Sequence, residues 1–367
     1  MTQIAVAEQA FHLDGRPTYA GRTFEGRPIE GLLFNVRAVQ ATFDDAYPTT
    51  RRHWAYPDTG VWDPQRNTDA FCAALPTWRD HGVLAFTINF QGGGPLYVPE
   101  IYGAYDNNGF TPDGDIVPAY AARIAQVLDR ADALGMAVIV GLFYWVSVQR
   151  MANEQAIWRA AHQALDWLAD TGHRNLLIEV ANEVDVVYDR TGYGIFHPAR
   201  THEMVARLKE HHPEMLISTS GGGAHVESGR GMPSRDLVAT ADLILLHGNG
   251  TRPAQLEAAI RAVRDLPEFG RHPKPIVINE DSPAVPNLEA AWRHYASWGY
   301  YDQGFEGQGE DPYVHYAPRP RWADQPLAEL NGYQTPPVNW EINTPFKCAF
   351  FARVAEITGA ARCQRQS

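Results

Sequence analysis

The chain has 367 residues, 45% of them hydrophobic and 20% charged, which allows a large buried core and excludes a disordered polymer. Its net charge of −12, with no Lys/Arg clusters, argues against nucleic acid as a partner. The length suits one α/β barrel with long loops, or two smaller domains.

The first thirty residues predict a β-hairpin, with an Asp-Gly turn at Asp14-Gly15 inside "FHLDGRPTY" and a second turn at Glu25 to Pro28. From there strands and helices alternate. "GLLFNVRAV" (31–39) reads as a buried strand, and "NTDAFCAALPTWRDHG" (67–82) as a helix capped by Asn67 and ended at Gly82. A second strand over 83–90 is followed by an amphipathic helix over 118–135. A third strand over 136–145 precedes a helix over 153–172. "NLLIEVANEVD" (175–185) is the fourth strand, with a helix over 201–212 behind it. Strands five and six fall at 215–220 and 242–250, a helix at 254–266, and strand seven at "PIVINED" (275–281). A helix over 287–299 leads to an eighth strand near 299–303. The last helix, 344–359, has Thr344 as N-cap and Pro345 at its first position.

Eight near-continuously apolar strands, each followed by a helix or a short substitute, predict a single-domain (β/α)8 TIM barrel over 1–367, with an N-terminal β-hairpin and long loops after strands 2 and 8. An open doubly wound sheet would need a topological switch and usually a Gly-rich first turn, whereas the first strand here runs into "NVRAVQATFDD". Cys72, Cys348 and Cys363 are scattered and form neither a disulfide framework nor a zinc spacing. The N-terminus shows no basic stretch followed by an apolar one, and no apolar run approaches a membrane span. The expectation is a cytoplasmic protein without a membrane partner; a homo-oligomer is admissible. No H-x-H ends the first strand and no H-E-x-x-H occurs, so neither a catalytic metal nor a cofactor is expected.

Catalysis in such barrels sits where the C-terminal ends of the strands open into loops. The polar residues there are Asn35, Arg37 and Gln40 around strand one, Asn89 and Gln91 after two, and Tyr144 after three. Asn182 and Glu183 end strand four, Ser218 and Ser220 five, His247 six, and Asn279 to Asp281 seven. An apolar strand that stops at an ionisable carboxylate is a rigid mount with a working tip. Glu183 and Glu280 stand in that position on strands four and seven.

"IEVANE" followed by "IVINE", with the two Glu 97 positions apart, resembles the clan A glycoside hydrolases, which include the cellulase-like family 5 enzymes. The resemblance runs over roughly residues 11 to 359, leaving 91–116 and 303–341 unmatched. It implies a retaining β-glycosidase acting on carbohydrate by double displacement, with Glu183 as acid/base, Glu280 as nucleophile and Asn182 as partner of the sugar 2-hydroxyl. His247 matches a place near the nucleophile. The chemistry itself calls for two carboxyls ~5–5.5 Å apart, one protonated and one ionised, and neighbouring negative sites split their pKa values in that sense.

Plainer readings stand beside these. Arg37 can hold Glu280 ionised or pair with Glu179, whose strand parity points it into the barrel as a buried ion-pair partner. Asp281 rivals Glu280, and His247 can be a satisfied core histidine. Asn35, Asn89 and Gln91 are candidate sugar contacts; Tyr144, Trp298 and Trp340 are candidate sugar platforms or core residues. The segment 303–341 carries Tyr313, Tyr316, Trp322, Tyr333 and Trp340, and a loop this long is usually functional. With the loop after strand two it is expected to wall off the mouth, which favours exo-attack on short glycosides. A transglycosylase and a non-catalytic carbohydrate-binding barrel are the alternatives.

Overall fold

The computed structural model describes residues 1–93, 101, 103–303, 312–313 and 326–360. Tyr316, Trp322 and much of the two long loops therefore lie outside the described residues. Eight strands, β1 (Asn35–Arg37), β2 (Ala85–Asn89), β3 (Ala137–Phe143), β4 (Leu176–Ala181), β5 (Leu216–Ser218), β6 (Ile244–His247), β7 (Ile276–Glu280) and β8 (Ser297–Tyr300), form one sheet. Its order is β5-β4-β3-β2-β1-β8-β7-β6, with every pairing parallel.

Sequential strands are neighbours, and β1 pairs with β8 through Asn35 opposite Gly299. The wall between β5 and β6 has no continuous ladder and is joined by scattered backbone bonds, such as the Asp242 amide to Ile217 O at 3.1 Å, and by side chains. Ser218 Oγ donates to Leu243 O at 2.7 Å, and the Ile217 amide donates to the Asp242 carboxylate at 2.8 Å. The fold is a (β/α)8 barrel, as the alternation predicts. Every residue of β2, β3, β4 and β7 is buried, as expected of parallel strands covered on both faces.

The principal helices around the barrel are α1 (Pro64–Asp80), α2 (Pro118–Ala133), α3 (Glu154–Asp170), α4 (Val184–Thr191), α5 (Thr201–His211), α6 (Arg235–Thr240), α7 (Pro253–Arg264), α8 (Val285–Arg293) and α9 (Pro345–Thr358). No helix among the described residues is long and apolar enough to cross a membrane. Helix α1 starts three residues before its expected cap. Asp63 accepts from the amides of Gln65 and Arg66 at 2.9 and 3.0 Å, with Pro64 at the first position. Asn67 is instead buried within α1, donating to Gln40 O at 2.7 Å.

The predicted hairpin is one part of a three-stranded antiparallel sheet, Ile4–Ala7, Ala10–Leu13 and Arg16–Pro17. Asp14 and Gly15 both adopt positive φ, 52° and 74°, the conformation a two-residue hairpin turn of matching twist requires. This sheet plugs the barrel: Ile4 and Phe11 pack with Leu33, Ala85, Ala137, Ile139, Leu177, Leu245 and Val277 in an inner cluster. The opposite end of the barrel is where the polar strand tips gather.

Candidate active site

Strand β4 delivers Asn182 and Glu183 just beyond Ala181. Glu183 takes a left-handed backbone conformation (φ 56°, ψ 65°), uncommon for a residue with a side chain, and precedes α4 directly. Its amide donates to Ser220 Oγ at 3.1 Å, so the turn is braced from β5.

Strand β7 settles the choice between its two acids by a shift of register. Leu246 lies opposite Ile278, but His247 lies opposite Glu280, so Asn279 is a surplus residue in β7. Val277 belongs to the inner cluster, and plain alternation from it would turn Asp281 inward. The surplus residue turns Glu280 to the mouth instead. Asp281 points to the helix layer, accepting from Trp298 Nε1 at 2.6 Å and Asn287 Nδ2 at 2.9 Å. Burial pushes the Asp281 carboxyl up to about 7 against the pull of these hydrogen bonds.

At the mouth, one oxygen each of Glu183 and Glu280 and a ring nitrogen of His247 all lie within 4.8 Å of one another. Glu280 is held at both oxygens, Oε2 by Arg37 Nε at 2.5 Å and Oε1 by Asn249 Nδ2 at 2.5 Å. Glu183 Oε1 accepts from His247 Nδ1 at 3.1 Å. Burial raises the Glu183 carboxyl above its ordinary range, the nearby Glu280 charge adds to this, and the His247 hydrogen bond only partly opposes it. Burial disfavours a charged His247, yet Glu280 and the hydrogen-bonding carboxylates around it outweigh that and push the imidazole up to about 10.

Beneath the pair sits Glu179, fully buried. Its Oε1 accepts from Ser220 Oγ at 2.6 Å and Asn279 Nδ2 at 3.0 Å, and its Oε2 is 3.6 Å from Arg37 Nη1. Burial works against this carboxylate, but His247, Arg37 and Ser220 hold it down at about 2. Arg37 thus answers both alternatives, pairing with Glu280 and with Glu179. Its Nη2 also donates to Asn182 Oδ1 at 2.8 Å, which leaves the buried Asn182 Nδ2 without a protein partner and free for a hydroxyl. Tyr144 is buried beside both mouth carboxyls: burial pushes its phenol strongly upward and the Glu280 and Glu183 charges add to this.

Several expected contacts stand elsewhere. Asn89 lies one layer down, in register with Gly141 and Glu179. Asn35 is deeper still, its amide oxygen against Gly299. The two glycines leave room for these amides: a Cβ on either would meet the Asn oxygen at 2.2 Å. Gln91 ties loops together, accepting from the Tyr144 amide at 3.0 Å and donating to Asn108 Oδ1 at 3.2 Å. Trp298 is not a sugar platform. Its parity on β8 turns it outward onto Phe350, and its indole is used by Asp281. Trp340 is likewise core, stacked on Tyr333 at 5.6 Å, edge-on to Phe71, and donating to Asn67 Oδ1 at 3.1 Å.

Asn249 is the site residue that sequence reasoning missed. Its one signal is its place two residues past His247 in "HGNG", a loop that pattern alone does not orient. The described end of the 303–341 loop does reach β1: Gln334 Nε2 donates to Arg37 O at 2.9 Å, and Gln40 Nε2 donates to Gln334 O at 3.0 Å.

Among the described residues, Glu183, His247 and Glu280 form the one cluster spaced to hold a metal ion. The local chemistry does not suit a cation. Arg37 already occupies a Glu280 oxygen, and a protonated His247 has no lone pair to offer at Nδ1.

No protein-family model matches the sequence, and no curated protein matches it. Solved structures of similar fold include an endo-1,4-β-mannanase from Eisenia fetida (12% identity, 85% of this chain and 91% of that one, TM-score 0.50). Others are an endo-1,4-β-mannanase from Rhizomucor miehei (10%, 98% and 100%, 0.48) and a β-1,4-D-mannanase from Cryptopygus antarcticus (12%, 86% and 91%, 0.48). At these identities the likeness is one of fold.

Proposed function

We propose that the protein is a retaining β-glycosidase of the clan A type, with Glu183 as acid/base and Glu280 as nucleophile. The observation that carries this reading is the carboxyl pair at the barrel mouth, with oxygens within 4.8 Å of each other, one carboxyl raised and the other paired with Arg37. Oxygens this close support the ~5–5.5 Å carboxyl separation of double displacement over the ~6.5–9.5 Å that leaves room for an attacking water.

In the first step a Glu280 oxygen bonds to the anomeric carbon while the bond to the leaving oxygen breaks. The departing electron pair goes to that oxygen, which takes the Glu183 proton. In the second, water gives a proton to Glu183 and its oxygen bonds to the anomeric carbon. The bond to Glu280 then breaks, its electron pair returning to the carboxylate. Asn182 Nδ2 donates to the sugar 2-hydroxyl, where hydrogen bonds strengthen in the transition state, a role supported by its lack of another partner.

The finer reading is exo-attack on short glycosides. It is supported by Gln334, which brings one end of the long loop over β1 and so towards the mouth. The Eisenia protein's name makes β-mannosides the first glycone to try. The test is a panel of aryl α- and β-glycosides with wild type and Glu280→Gln, following the first-formed anomer by NMR. Turnover of a β-glycoside with β product first, lost by several orders of magnitude in the variant, is the expected result. An α anomer appearing first, or a fully active variant, overturns the reading.

A further inference from the structure

Five ionisable side chains are packed into one buried cluster, and one of them cannot reach a sugar. Glu179 lies below the carboxyl pair, with Arg37 3.6 Å and His247 3.7 Å away and every hydrogen bond it makes received from a donor. Its position demands an account, because a buried carboxylate costs folding free energy unless its charge is answered. Arg37 spans from Glu179 to Glu280; His247 spans from Glu179 to Glu183, with Glu280 3.8 Å from the same ring. The cluster therefore holds two cations and three carboxyls.

We propose that Glu179 is the charge anchor of the reaction, a positioning residue that keeps His247 as imidazolium and makes the cluster neutral at both resting points of the cycle. The inference rests on the glycosidase reading. Before reaction Glu183 carries the proton, and Glu179 and Glu280 balance Arg37 and His247. In the glycosyl-enzyme Glu280 is an ester without charge, Glu183 has given its proton to the leaving oxygen, and Glu179 with Glu183 balances the same two cations. The reaction moves one negative charge from Glu280 to Glu183 across His247, and the buried total stays constant. Without Glu179 both resting points carry a net positive charge in a largely buried site, where uncompensated charge is costly.

The other groups that face the cluster are Tyr144 after β3, Asp185 in α4, Asp281 behind β7 and Tyr301 after β8. Tyr144 and Tyr301 are phenols, and Asp281 faces the helix layer.

The experiment is the pH profile of kcat/KM for wild type, Glu179→Gln and Glu179→Asp, beside an NMR titration of the ¹⁵N-labelled His247 ring in each, assigned with a His247→Asn variant. Removing the fixed negative charge eases ionisation of Glu183 and loosens the proton on His247. The basic limb and the His247 titration are thus both expected to move to lower pH in Glu179→Gln, by about one unit or more. Glu179→Asp keeps the charge at a longer distance and is expected to shift both in the same direction by less. A Gln variant that is only slower, with limb and titration unmoved, makes Glu179 structural and overturns the proposal; so does a limb that moves up. The NMR arm needs no turnover, so a protein that hydrolyses none of the glycosides still decides the anchor, and the glycosidase reading fails separately.

Discussion

Asn249 fixes one oxygen of Glu280 while Arg37 fixes the other, so in the proposed mechanism the nucleophile is aimed before substrate arrives. Asn249→Ala is expected to lower kcat by about 10²-fold, the scale of losing one preorganised donor, with a smaller change in KM; steady-state kinetics on the best aryl glycoside checks this. Asp281 makes a prediction of a different kind. Its folded value, about 7, lies above that of an unfolded Asp, so its contribution to stability is full below about pH 4 and lost as pH rises through 7. The melting temperature of Asp281→Asn relative to wild type should therefore rise between pH 5 and pH 8; a flat difference would contradict the buried, raised carboxyl. Sequence exposed Glu183, Arg37 and Asn182, because polar residues stand out at the ends of apolar strands, and Glu179, because an uninterrupted strand lets parity be counted. Counting positions alone could not prefer Glu280 to Asp281, which the resemblance did, because one surplus residue in a ladder leaves no trace in the pattern of apolar positions.

Elements were legible where punctuation is chemical. The Asp14-Gly15 turn, the Pro345 start of α9 and the helices closed by Gly82, Gly135, Gly172 and Gly359 stand close to where their residues predict them, whereas the helix expected over 287–299 stops at Arg293 and Gly299 falls within β8. Trp298 and Trp340 misled because an aromatic near a strand end or in a loop reads the same whether it faces sugar or helices, and partners such as Asp281 and Asn67 come from elsewhere in the chain. The cap of α1 moved because Asp63, four residues upstream and followed by Pro64, competes better than Asn67, whose amide is used in the core. Asp63→Ala should cost about 1 kcal/mol of stability, read by denaturant unfolding, whereas Asn67→Ala strands Trp340 and should cost more. Phe11→Ala should cost about 3–5 kcal/mol, since the N-terminal sheet is a plug and its ring is fully buried in the inner cluster.

Across the whole molecule, the two ends of the barrel divide the work. One is sealed by Ile4 and Phe11 against apolar strand beginnings; the other gathers the charged groups from β1, β4, β6 and β7. A cationic iminosugar of the matching configuration would set its charge between Glu183 and Glu280. At a hundred times its Kd it should stabilise the fold by about 2.7 kcal/mol, seen as a raised melting temperature that Glu280→Gln largely abolishes. The net charge of −12 bears on solubility and on which ligands are drawn in, and does not bear on the topology.

The surplus residue in β7 has one more consequence. The strand tip carries two acids in succession, and only the slack at Asn279 decides which one faces the mouth. In a ladder without that slack, with Asn279 paired in its turn, Glu280 would face the helices and Asp281 the mouth, its carboxylate one methylene shorter and set back by ~1.5 Å. The gap to Glu183 would open towards the ~6.5–9.5 Å in which a water fits between two carboxyls. A single unpaired residue thus sets which of two spacings the mouth presents.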